Sequence, residues 1–212
     1  MKNDVQTNKA ESRTQAQQDR ILAAAQTCFV RSGFHAASMA TIAETAGMSA
    51  GLIYRYFDNK SAIVLAIIEQ QLEVARTNIR QMRSSDDLAA RIVEHCDEAE
   101  CGDETRMSTA LFLEMSAEAT RDPQIAEAVQ RFDSMVRSEV EDWLSRSADK
   151  GGYGLPKEIA PARALMLVCL IEGVKVRVAR EPNLDQDTLR RALAEMVTAL
   201  VDPACTGSGV RP

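Results

Sequence analysis

The chain has 212 residues, 45% of them hydrophobic, and a formal net charge of −6, enough for one large core or two modest ones. Its most apolar segment, Ala164–Ile171, is far too short to span a bilayer, and Met1 is followed by polar residues rather than the apolar run of a signal peptide. Five cysteines, Cys28, Cys96, Cys101, Cys169 and Cys205, are odd in number and irregular in spacing, so a cytoplasmic protein with reduced thiols and no membrane partner is expected.

Residues 1–14 are polar and lack periodicity, which predicts a flexible arm. Lys9 and Arg13 are the basic side chains that such an arm would carry to a neighbouring groove, although a simple solvated tail is the commoner case. From Gln15 to Arg31, residues Ile21, Leu22, Ala25, Cys28 and Phe29 recur at helical spacing and predict an amphipathic first helix, with Cys28 as a small buried hydrophobe.

The stretch Ser38–Lys60, SMATIAETAGMSAGLIYRYFDNK, reads as two short helices around a tight turn. Ser38 is placed to cap the first, Ile42, Ala43 and Ala46 form its apolar face, and Gly47 supplies the left-handed residue that closes it. Ser49 is placed to cap the second, whose Ile53 and Phe57 turn inward. Two helices joined by a short Gly-containing turn form the unit that places its second helix in the DNA major groove. Off the Ile53/Phe57 line lie Tyr54, Arg55, Tyr56 and Lys60, hydroxyls and cations suited to phosphate oxygens. Ala50, Gly51 and Leu52 open the helix, where backbone and thymine methyl can approach closely, and Arg55 has the reach for a bidentate guanine contact. Residues 9–60 hold six basic side chains (Lys9, Arg13, Arg20, Arg31, Arg55, Lys60) against four acidic ones (Glu11, Asp19, Glu44, Asp58), a net +2 that leaves −8 for the remainder. That imbalance suits docking on a polyanion through this segment alone.

The run TIAETAGMSAGLIYRYFDNKSAIVLAII resembles the DNA-binding signature of the TetR family of bacterial one-component repressors. Ile42-Ala43, Ala46-Gly47, Ser49, Gly51, Tyr54, Tyr56-Phe57 and Lys60 carry the resemblance, and the opening helix adds Phe29 and Gly33-Phe34. Ser38 stands where threonine is commoner in the family, and either can cap. Ser38, Thr41, Ser49, Ala50, Gly51, Leu52, Tyr54, Arg55, Tyr56 and Lys60 are accordingly the expected contacts to a double-stranded DNA operator. The resemblance also implies a variable helical C-terminal part with an effector pocket and a homodimer interface.

Beyond this unit the pattern is helical throughout. Asn59 is placed to cap a helix running to Arg83, the direct mechanical link between the two parts of the chain. Ser84–Asp87 is a polar break. Further helices are expected over Asp87–Ala99, Glu104–Arg121, Pro123–Asp149, Glu158–Arg180 and Gln186–Val201, with a loop at Gly151–Pro156 and a flexible tail over 202–212. Ala164–Ile171 is apolar all round and the last helix has a broad apolar seam. Leu167, Leu170, Leu189, Leu193, Met196 and Leu200 are therefore the expected dimer contacts in a four-helix bundle about a two-fold axis.

A small, largely hydrophobic effector is expected among the middle helices, against Met107, Leu111, Glu114, Met115, Phe132, Val136, Trp143 and Glu172, because Met and aromatic side chains adapt to apolar ligands. Glu114 and Glu172 would favour a cationic group there, although Glu172 and Lys175, three residues apart, can simply pair with each other. His95–Glu104 gathers His, Cys and carboxylates, which keeps a metal- or thiol-redox-responsive regulator open, although the spacing matches no standard metal site. A regulator without any ligand is the other alternative. His35 and His95 are the only histidines and no nucleophile–base pair or phosphate loop is visible, so neither an enzyme nor a cofactor is expected. The reading is an all-α protein: a helix-turn-helix domain at 15–62 built from three helices, and an effector-binding and dimerisation domain at 63–201.

Overall fold

The computed structural model describes the backbone of residues 2–82, 88–96 and 108–204, and the side chains of 12–82, 88–93 and 108–204. Among these residues every regular element is helical: α1 (Lys2–Ala36), α2 (Met39–Thr45), α3 (Ala50–Ile53), α4 (Lys60–Gln81), α5 (Leu88–Cys96), α6 (Thr109–Ala119), α7 (Pro123–Ser145), a short 3₁₀ turn (Ala148–Lys150), α8 (Ala160–Arg180) and α9 (Gln186–Val201). Residues 2–14, expected as an arm, are helical and continue into α1. Asn59 caps α4 as expected, accepting the Ala62 N–H at 2.8 Å, and the helix runs for ~33 Å.

The chain divides into two compact units, residues 1–70 with 110–129, and residues 71–109 with 130–212. The first therefore takes in α6 and the opening turns of α7, which the sequence reading assigns to the second domain. Its core is built from Ile21, Leu22, Ala25, Cys28 and Phe29 of α1, Ile42 and Ala43 of α2, and Ile53 and Phe57 around α3, all buried. Phe29 and Phe34 pack with ring centroids 5.3 Å apart. Cys28 is 1% exposed, with its sulfur 3.3 Å from the Thr45 hydroxyl, an ordinary core thiol.

The second unit packs α5, α7, α8 and α9 around Trp143, Leu144, Ala160, Ala164, Leu167, Leu193 and Val197. The loop after α7 folds back on the helix end: Gly152 N–H donates to Ser147 O at 3.1 Å, Gly154 N–H to Arg146 O at 2.8 Å and Leu155 N–H to Leu144 O at 2.9 Å. Trp143 closes this turn from inside, donating its indole N–H to Gly151 O at 3.1 Å and meeting Tyr153 edge-on at 5.2 Å. Within the same unit Glu139 of α7 takes the guanidinium groups of Arg76 at 3.5 Å and Arg80 at 3.0 Å, fastening the last turns of α4.

Candidate nucleic-acid interface

The helix-turn-helix is assembled from local chemistry. Ser38 sits in extended backbone and accepts the Thr41 N–H at 3.0 Å, while its oxygen lies 2.8 Å from the Thr41 hydroxyl. Gly47 has φ 62°, and the Met48 N–H reaches back to Ala43 O at 2.8 Å, a left-handed helix closure that only glycine adopts without cost. The turn is overlaid by Arg20, which donates to Gly47 O at 3.4 Å and whose guanidinium lies 2.6 Å from where a Cβ on that glycine would be. Ser49 then caps α3, accepting the Leu52 N–H at 3.3 Å.

The second helix is shorter than its pattern suggests. One α-turn ends at Ile53, and the chain continues as a tight turn through Tyr54, Arg55 and Tyr56, closed by Phe57 N–H to Ile53 O at 3.0 Å. Buried Ile53 and Phe57 hold the turn to the core and leave its other side free. Ser38, Ser49, Ala50, Gly51, Tyr54 and Arg55 are exposed, Tyr54 at 53%, whereas Thr41, Leu52, Tyr56 and Lys60 are half-buried.

Lys60 is placed differently from the rest of this set. Its ammonium donates to Phe34 O at 2.7 Å and His35 O at 3.2 Å and lies 4.6 Å from the Phe34 ring centroid. Burial lowers its pKa, with the charge of Glu118 acting in the opposite direction. Two of its three donors thus serve the end of α1, which sequence spacing alone did not disclose.

That end is unusual. Gly33 interrupts α1 with φ 77° and ψ 161°, a region essentially reserved for glycine. The break deprives the Phe34 N–H of a helical acceptor, and the Glu114 carboxylate takes it at 3.0 Å. Gly33→Ala should therefore lower stability by ~1–3 kcal/mol, although a Cβ there meets nothing closer than 3.5 Å. An unchanged urea midpoint would show that the kink is dispensable.

The expected effector contacts fall in both units. Leu111 (1% exposed) and Met115 (7%) are core residues of the first, and Glu114 there is occupied by Phe34. In the second, Trp143 is fully buried and donates its N–H to Gly151 O under the loop after α7. Phe132, Val136 and Glu172 are half-buried. Asp133 and Glu172 both have raised pKa values: burial is the main cause in each, opposed by Arg137 at Asp133, while Asp133 adds to the rise at Glu172 and Lys175 opposes it. Met107 and the side chains of His95–Glu104 lie outside the described residues. Among the described residues no three His, Cys, Asp or Glu side chains converge as metal ligands, and no helix is long and apolar enough to cross a membrane.

Most of the expected dimer contacts are buried within the single chain. Leu167, Leu193 and Leu200 are 2%, 2% and 6% exposed and belong to the core of their own subunit, with Leu170 and Leu189 packed against it. The apolar stripe of α9 is used on α5 and α8 of the same chain. Leu170 and Leu189 are half-buried, and Met196 is 52% exposed. Of the five large apolar side chains exposed among the described residues, Leu165, Met166 and Met196 lie on α8 and α9. Cys169 and Gly173 continue the α8 stripe, and Ala192 and Ala199 flank Met196 on α9, all exposed.

Comparison with known proteins agrees with this architecture. Residues 21–67 match the bacterial regulatory proteins of the tetR family, and residues 88–202 match the C-terminal domain of BetI-type transcriptional repressors. The transcriptional regulator UidR of Escherichia coli is 28% identical over 201 residues, covering 95% of this chain and 98% of that protein. The transcriptional activator FasR of Mycolicibacterium smegmatis is 26% identical over 175 residues, covering 80% and 75%. Salmonella enterica GusR superposes with a TM-score of 0.69 at 26% identity, over 88% of this chain and 95% of its own. The second family match alone spans more than half of the sequence, and the first coincides with the capped helix pair and its exposed face. The chain belongs to the TetR family of DNA-binding transcriptional regulators.

Proposed function

We propose that the protein is a homodimeric repressor that leaves a near-palindromic operator when a small, largely hydrophobic effector binds. The observation that carries the DNA-reading part is the α3 turn, where Ile53 and Phe57 are buried while Ala50, Gly51, Tyr54 and Arg55 face solvent. Ser38, Gly47 and Ser49 hold that turn in place without using the Tyr54 or Arg55 side chain. The match to BetI-type repressors supports the repressing direction, and FasR, an activator by name, supports the opposite sign as the second reading.

Dimerisation through the Leu165/Met166/Met196 face would bring two α3 turns to two half-sites, and operator symmetry would mirror protein symmetry. The effector acts only through its preference for one of two head spacings, since equal affinity for both would shift nothing. Phe132, Val136 and Glu172 are the half-buried members of the expected contact set, and Asp133, whose charge acts on Glu172, adds a second carboxyl.

Titration of the purified protein against the DNA upstream of its gene tests this directly, repeated with hydrophobic cations, acyl compounds and divalent metals. Release by an organic compound supports the effector reading, release by a metal moves the sensor to His95–Glu104, and failure to retard that DNA under any condition sinks the repressor reading. Within the same assay, Arg55→Ala should lose ~1–3 kcal/mol on the operator and little on random duplex. Tyr54→Ala should weaken both equally, because a hydroxyl on phosphate sets register and not sequence. Wild-type titrations for both variants would remove α3 from the interface.

A further inference from the structure

The helix pair that would read DNA is bounded by two short pieces of chain, the end of α1 at residues 33–37 and the start of α4 at 60–61. Both are held by one face of α6 and the turn behind it. Glu114 accepts the Phe34 N–H at 3.0 Å. One turn on, Glu118, only 6% exposed, lies 3.3 Å from His35 Nε2. After a further turn's length, Asp122 accepts the Ser61 hydroxyl at 3.2 Å while its other oxygen caps α7 through the Gln124 N–H at 2.8 Å. Lys60 crosses between the two pieces, donating to Phe34 O and His35 O. The acids at 114, 118 and 122 are spaced by four, so a single side of α6 and its following turn meets both boundaries.

We propose that Glu114 and Glu118 are positioning residues that set the orientation of the α2–α3 pair, and with it the half-site spacing the protein accepts. This rests on the DNA-binding reading above. Two physical points support it. The Gly33 kink creates a free N–H whose acceptor comes from 80 residues away in sequence, so the kink is stable only with α6 in place. Glu118 is only 6% exposed and Lys60 ties the two boundary pieces to each other, so both are held from one side.

Amide exchange and DNA binding of Glu114→Ala, Glu114→Gln and Glu118→Ala test this, with duplexes selected from a random pool by the wild-type chain. If the contacts form one joint, Glu114→Ala should speed exchange by about tenfold at residues 33–37, the size of one hydrogen bond, and also at 60–63, which Glu114 does not touch. Glu114→Gln, which keeps an acceptor oxygen, should restore both segments. On DNA, Glu114→Ala and Glu118→Ala should bind the selected duplex about tenfold more weakly and accept a half-site spacing altered by one base pair that the wild type rejects. Loosening confined to 33–37, or an unchanged spacing preference with the wild type binding normally, overturns the joint and leaves the DNA reading intact. A wild-type chain that selects no duplex sinks the DNA reading, and the joint's role with it.

Discussion

Met166→Glu combined with Met196→Glu should convert the protein to a monomer and weaken operator binding by about 100-fold or more. Both side chains are more than half exposed within a single chain, so new carboxylates there disturb no contact of the subunit's own core. In a two-fold dimer each would face an apolar partner or its own copy, placing like charges in a desolvated seam. The loss on DNA follows because the second half-site is then no longer delivered at high local concentration, an effect worth ~10²–10⁴ in linked binding. Sedimentation velocity should show a lone species of one-chain mass that keeps its helical circular dichroism, with a melting temperature lowered by the loss of the partner. A surviving dimer would place the interface elsewhere. Charged substitutions at Leu189 and Leu193, the natural choice from the apolar pattern, would give a different result. Leu193 is 2% exposed and sits in the subunit core, so the protein should unfold before its assembly can be judged.

Gly152→Ala should be the most damaging single methyl in the described structure outside the N-terminal unit. A Cβ on Gly152 would lie 2.1 Å from Arg146 O and 2.5 Å from Trp143 O, both backbone atoms at the end of α7 that no side-chain rotation can clear. The turn would have to open, breaking the Gly152 N–H to Ser147 O bond and drawing Gly151 O away from the buried Trp143 indole. Steric overpacking of ~1–3 kcal/mol then adds to about 1–3 kcal/mol for an indole N–H left without its acceptor. Gly154→Ala is the control. Its added Cβ meets nothing within 4 Å, so only the cost of its positive φ remains, and a loss as large as that of Gly152→Ala would refute the steric account. Thermal melts followed by tryptophan fluorescence report directly, since Trp143 is the sole tryptophan.

What could be read in the sequence was what local chemistry decides. Ser38, Gly47, Ser49 and Asn59 cap or close helices as their positions imply, because a cap and its recipient lie within four residues of each other. Ile42, Ile53 and Phe57 are buried because helical spacing alone puts them on one side. What could not be read was the identity of a distant partner. The stripe Leu189, Leu193, Leu200 is apolar whether it faces a second copy or the subunit's own α5 and α8, and periodicity cannot distinguish the two. Glu114 interrupts an apolar run and so suggests a ligand contact, yet it answers a backbone N–H freed by a glycine far back in the chain. Trp143 likewise reads as a pocket wall, and its bond to the Gly151 carbonyl left no trace in the periodicity. Each depends on contacts that cross long stretches of sequence and leave no periodic trace.

The split composition of the first unit also orders events during synthesis. Its 1–70 portion leaves the ribosome first, with helices α1 to α3 and the first half of α4, but the acceptor for Phe34 and the partner of His35 are encoded about 80 residues later. The head is chemically complete only after Val129 has been made, by which time residues 71–109 have already emerged. Its last contacts are therefore of high sequence separation, which slows their closure relative to the local helix caps. A nascent chain thus passes through a stage in which the helix pair exists while its orientation is still unset.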